Sequence, residues 1–219
     1  MAIGSSSSSA RPVQERWPLL RKLANEGPWP LLLVVHGHSG GVLPQAFEQW
    51  LAPLEAQRGA PVWIQALTAE PLALPQGLPL LMVPLLLTPG SHVRQDLPAI
   101  RQRLRGAGHR LVSLPFLGAW EAWLEHLADL AQADPSACLL HHPLRVGVAD
   151  RYLQMLQERL QLPPLTPERF QAGEQRALPL ALAPNRMTAQ LQDAGVPAPA
   201  LLERPITQTL LFNLLLTLP

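Results

Sequence analysis

Along the first half of the chain, unbroken apolar runs alternate with stretches whose apolar positions fall three and four apart. Leu31-Leu32-Leu33-Val34-Val35 has no polar member, the pattern of a strand buried on both faces. It ends in His36-Gly37-His38-Ser39-Gly40-Gly41. Phe47, Trp50, Leu51 and Leu54 then share one face of a helix, with Pro44 suited to its first turn and Gly59 placed to end it. Val62 to Leu67 predicts a second strand and Leu80 to Leu87 a third, which runs into Thr88-Pro89-Gly90-Ser91-His92. Leu97, Ile100 and Leu104 mark the next helix, Arg110 to Leu114 a fourth strand, and Trp120, Trp123, Leu124 and Leu127 a further helix. Ahead of all these, Trp17 to Glu26 predicts a short leading helix stopped by Gly27-Pro28.

Strand and helix alternating at this spacing predict an α/β fold, an open parallel sheet with helices on both faces. Ligands in such sheets bind beyond the carboxyl ends of the strands, so the two glycine-bearing turns with His36 and His92 belong to one functional edge. The second half reads as a worn copy of the first. Pro84-Leu85-Leu86-Leu87-Thr88-Pro89-Gly90 overlays Pro179-Leu180-Ala181-Leu182-Ala183-Pro184-Asn185, and Ala107-Gly108 overlays Ala194-Gly195. Val34-Val35-His36 is matched to Leu139-Leu140-His141, and Met187 stands where the first half has His92. Between Leu162 and Ala177 the chain is polar and rich in proline, where a second strand is expected. The expected organisation is a flexible tail and leading helix over 1–29, a lobe carrying the site over 30–133, and a degenerate second lobe over 134–219.

Composition narrows the function. Hydrophobic residues make up 47% of the 219 positions and charged residues 15%, enough apolar surface for a sizeable core. A net charge of +1 argues against a nucleic-acid partner bound through a basic field. Cys138 is the one cysteine, which excludes an internal disulfide and a cysteine-cluster zinc site. The serine-rich first residues lack a basic and an apolar region, and the apolar runs at Leu78 to Leu87 and Ile206 to Leu218 are too short to span a bilayer. A cytoplasmic protein without a membrane partner is expected, its oligomeric state left open.

Three constellations carry possible chemistry. His36 and His92, with His38 beside them, follow adjacent strands, and neutral imidazoles grip borderline metals. Gly37-His38-Ser39-Gly40-Gly41 fits the G-x-S-x-G turn of serine hydrolases, with Asp96 or Asp129 and His141 or His142 in a permissible chain order. Glu70, after the second strand, is a carboxylate able to take a proton or complete a metal site, and Asp96 is a helix-start acid.

The stretch from Gly90 through His92-Val93 and Asp96-Leu97 to Pro98, with the strand ending in His36-Gly37-His38-Ser39, resembles the class II sirohydrochlorin chelatases. That family includes the cobaltochelatases of cobalamin synthesis and the ferrochelatases of sirohaem synthesis. The resemblance covers roughly residues 30 to 130. It implies two chelatase-like, flavodoxin-type lobes with parallel sheets, the second degenerate. It implies a metal chelatase, a lyase that inserts Co²⁺ or Fe²⁺ as substrate metal into sirohydrochlorin or a related tetrapyrrole. It implies no permanently bound cofactor and no use of ATP. His36 and His92 would hold the metal and remove the pyrrole protons, while Ser39, Gly90, Ser91 and Arg94 would face the carboxylates of the macrocycle. His38 stands where the family has serine, and Glu70 matches the family's acid only with a local shift. A tetrapyrrole- or metal-binding relative without turnover is the alternative, and a serine hydrolase using Ser39 comes third.

Overall fold

The computed structural model describes Leu20, residues 23–145, 147–171, 173 and 175–219. The expected tail and half of the expected leading helix lie outside them. β1 (Leu31–Val35) is buried at every position and lies between β2 (Val62–Ala66) and β3 (Pro79–Pro84). β4 (Arg110–Ser113) extends the sheet beyond β3, and all three pairings are parallel. Crossovers between parallel strands require intervening chain that packs back on the sheet, and the helices supply it. α1 (Gln45–Arg58) buries Phe47 and Leu54, and Gly59, at φ +65°, ends it in the left-handed region. α2 (Leu97–Gly106) buries Leu97 and Leu104, and α3 (Glu121–Ala133) buries Trp123, Leu124 and Leu127.

The third strand is shorter than the apolar run predicts. The Leu85 N–H donates to Val34 O at 2.8 Å, and β1 ends at Val35, so later residues have no strand to pair with. Leu85, Leu86 and Leu87 stay buried as irregular chain.

The rest of the chain builds a second parallel sheet, in the order β6-β5-β7. It consists of β5 (Ala137–Leu140), β6 (Pro164–Leu165) and β7 (Arg176–Pro179). α4 (Val148–Leu160), α5 (Arg186–Asp193) and α6 (Pro205–Leu216) accompany it. The repeat shows in the hydrogen bonds. Leu180 N–H donates to Leu140 O at 2.7 Å, as Leu85 does to Val34. Gly108 and Gly195 follow the helix ends at φ +83° and +76°. Two details correct the sequence reading. Val34 pairs with Pro84 and Leu140 with Pro179, so the counterpart of His36 is His142, one place beyond His141. The missing second strand survives as the two-residue β6.

The two sheets share one core. Val35, Leu81 and Trp123 belong to the same buried cluster as Leu139, Leu156, Leu178 and Leu211. Polar ties cross the same boundary. The Tyr152 hydroxyl lies 2.8 Å from Leu87 O and 2.9 Å from Gly118 O, and burial pushes its phenol pKa up. Gly118 is required there, because a Cβ would strike the Leu87 carbonyl. Arg58, 7% exposed, donates to Leu215 O and Leu218 O at 2.8 Å and to Trp29 O and Pro219 O at 2.9 Å. Burial pushes its pKa down to about 10, so it remains charged at neutral pH, and those four carbonyls offset its desolvation. No helix among the described residues is long and apolar enough to cross a membrane.

His126 on α3 is buried with its Nε2 2.8 Å from Thr207 Oγ1 on α6. Burial holds its pKa below the ordinary value, Arg204 lowers it further, and Asp129 opposes. Below about pH 6.5 the unfolded chain therefore takes up a proton that the folded chain resists. Denaturant unfolding is expected to show full stability above that pH and a loss as pH falls through the folded pKa. His126→Gln should flatten this dependence.

Candidate functional site

The site begins where β1 leaves the sheet. Gly37 has φ +74°, and a Cβ on it would come 2.7 Å from both Ala66 Cβ and Thr68 Oγ1. Only glycine lets this turn press against the end of β2. The Thr68 hydroxyl donates to His38 O at 2.6 Å and fixes the turn. His36 Nδ1 lies 2.8 Å from Gly37 O. A carbonyl only accepts, so Nδ1 carries a proton, and in the neutral ring Nε2 keeps its lone pair.

His92 opens a single π-helical turn, His92–Asp96, that leads into α2, with the Leu97 N–H donating to His92 O. Its Nδ1 lies 2.6 Å from Asp96 Oδ2. The carboxylate accepts, so Nδ1 carries a proton, and in the neutral ring Nε2 is the nitrogen left with a lone pair; the ring is oriented by a charged partner. Because β1 and β3 are paired neighbours, the turns that follow them meet. The two rings stand 4.8 Å apart between centroids and 86° to one another.

These rings line a cleft of about 590 Å³ between the two sheets. His38, Gly90, Ser91 and Arg94 join them from the first half, and His142, Arg145, Asn185 and Arg186 face them from the second. Arg94, Arg145 and Arg186 line it, and no carboxylate does so among the described residues. A hollow of about 160 Å³ adjoins it, lined by His36, His92, His141 and His142. Burial, then the nearby His36 and His141, lower the pKa of His142, and Glu168 opposes them. At the counterpart of His92, Met187 is 1% exposed and faces the core.

Of the residues singled out from sequence, His36, His38, Gly90, Ser91, His92 and Arg94 come together. Glu70 does not. It is exposed and lines neither the cleft nor its adjoining hollow. Gln65 accounts for its position by stapling the loop after β2. Its Nε2 donates to Ala66 O at 2.8 Å and Glu70 O at 3.2 Å, and its Oε1 accepts from the Leu72 N–H at 2.8 Å.

The hydrolase arrangement is not assembled either. Ser39 opens a short 3₁₀ turn, Ser39–Gly41, and α1 starts only at Gln45, whereas a nucleophile elbow passes from strand to helix in one sharp turn. Asp96 is engaged by His92, Asp129 acts on His126, and the His141 ring bonds its neighbour's carbonyl. Arg145 and Arg186 were missed from sequence. Overlaying Ser91 on Arg186 through the proline repeat would have found the second.

No family model matches the chain, and no curated protein matches it. Solved structures do. SirB, the sirohydrochlorin chelatase of Bacillus subtilis subspecies spizizenii solved with cobalt, superposes with a TM-score of 0.57 at 17% identity, over 85% of this chain and 93% of that one. DR2241 of Deinococcus radiodurans, a multi-domain protein with structural similarity to chelatases and two additional domains, gives 0.52 at 18% identity, over 86% of this chain. The chain spans about half of that protein, 54% of its length. These likenesses establish a chelatase-like α/β fold with parallel sheets.

Nitrogen-15 NMR of the imidazoles at pH 8 is expected to show Nδ1 protonated and Nε2 bare in both His36 and His92. Asp96→Ala should release the tautomer of His92 and leave that of His36 unchanged.

Proposed function

We propose that the protein inserts Co²⁺ or Fe²⁺ into sirohydrochlorin or a closely related tetrapyrrole, without a nucleotide. The observation that carries this reading is the His36–His92 pair, with both Nδ1 atoms engaged and the rings 4.8 Å apart in a basic cleft. The neighbours' fold and SirB's cobalt support it.

Insertion exchanges one divalent ion for two pyrrole protons. A bare Nε2 is a ligand for the entering metal and, once the metal has passed to the macrocycle, a base for a departing proton. Two imidazoles hold an ion weakly enough to release it, since the remaining coordination positions stay open. Asp96 orients His92 and stabilises the imidazolium formed when it takes a proton. Arg94 offers a planar fork to one carboxylate of the macrocycle.

A second reading, a tetrapyrrole- or metal-binding relative without turnover, is favoured by two observations. Glu70 stands off the cleft, and no three His, Cys, Asp or Glu side chains among the described residues are grouped to hold an ion.

Spectral titration of sirohydrochlorin with Co²⁺ or Fe²⁺ separates the readings. His36→Ala and His92→Ala are each expected to slow insertion by about 10²-fold or more. Asp96→Asn should slow it about tenfold, while Ser39→Ala keeps most of the rate. Bound sirohydrochlorin without insertion establishes the binding protein. Ester hydrolysis that is lost with Ser39→Ala and retained with His92→Ala overturns both readings.

A further inference from the structure

We infer that Arg145 and Arg186 are specificity-determining residues, a clamp on the second half that holds the acidic side groups of the macrocycle while the first half handles the metal. This rests on the proposed function and extends it to how the substrate is chosen.

Both arginines line the cleft opposite the paired histidines. Neither has an ion-pair or hydrogen-bonding side-chain partner among the described residues, although Arg110, Arg159 and Arg176 meet Glu26, Glu121 and Asp134. Three guanidinium groups facing one space that no carboxylate among the described residues lines leave their charge to be answered by a ligand. The guanidinium fork matches a carboxylate in two parallel hydrogen bonds, so the ligand chemistry is polycarboxylate.

The repeat explains the division of work. In the register that equates Pro84 with Pro179, Gly90-Ser91-His92 of the first half becomes Asn185-Arg186-Met187 of the second. The imidazole is replaced by a buried thioether, and the small hydroxyl by a guanidinium. The backbone beneath Arg186 is fixed, because Asn185 Oδ1 accepts from the Met187 and Thr188 N–H groups at 3.0 and 3.1 Å, and the Thr188 hydroxyl accepts from Asn185 N–H at 2.8 Å. The rigid cap fixes the point from which the Arg186 side chain leaves the backbone.

The test uses metal-free porphyrins with eight, four and two carboxylates (uroporphyrin, coproporphyrin and mesoporphyrin), with binding read by Soret shift and fluorescence. Wild type should prefer the octacarboxylate, with affinity falling as salt rises. Arg145→Gln and Arg186→Gln should each weaken the octacarboxylate about tenfold, leave the dicarboxylate nearly unchanged and retain Co²⁺ binding. Arg186→Lys should recover part of the loss. If wild type binds the octacarboxylate and both glutamine variants bind it equally well, the clamp is wrong and the proposed function stands. If wild type binds none of the three porphyrins and inserts no metal into sirohydrochlorin, the proposed function itself fails.

Discussion

Parallel pairing of β1 with β3 is the constraint on which the site depends. Val34 lies opposite Pro84, and Leu85 closes the ladder onto Val34. Both strands then run out at one edge, so the turn holding His36 and the turn holding His92 become neighbours although 55 residues separate them in the chain. Gly37 permits the first turn to lie against β2, and the π turn brings Asp96 under the His92 ring. A slip of one residue in β1 would draw Pro30 or His36 into a position that is now buried, and the core opposes that slip. The chemistry is thus positioned by the hydrophobic packing of a strand that takes no part in it.

The second half repeats this device with different side chains. Its β5–β7 pairing closes with the same hydrogen bond, and its turns also open on the cleft, but they bring arginine and histidine without a second paired imidazole. Because both sheets pack into one core, and Arg58 and Tyr152 bind carbonyls from distant parts of the chain, the two walls of the cleft are held in register. A rigid gap suits recognition of a rigid planar ligand, since neither partner loses much freedom on binding.

Much of this architecture was legible in the sequence. Strands buried on both faces leave unbroken apolar runs, and α1, α2 and α3 carry the helical period. The end of β3 was not legible, because Leu85, Leu86 and Leu87 remain buried after pairing stops, and an apolar run records burial rather than hydrogen bonding. Nothing in His92-Val93-Arg94-Gln95-Asp96 distinguishes a π turn from an α turn. Leu139-Leu140-His141-His142 offers two equivalent matches to the first half, and the pairing of Leu140 with Pro179, closed by the bond from Leu180 to Leu140, chooses between them. Glu70 was misplaced because its backbone is set by Gln65, an internal amide whose three bonds have no sequence signature. Arg145 and Arg186 lie far from the motif and reach the cleft only through the fold of the second sheet.

We propose that the Nε2 atoms of His36 and His92, on rings 4.8 Å apart, receive the metal. X-ray absorption of the protein carrying one equivalent of Co²⁺ tests it most directly. Two imidazole nitrogens are expected in the cobalt shell, falling to one in His36→Ala and in His92→Ala. A shell of oxygen atoms alone, or an imidazole count that neither substitution changes, would contradict it.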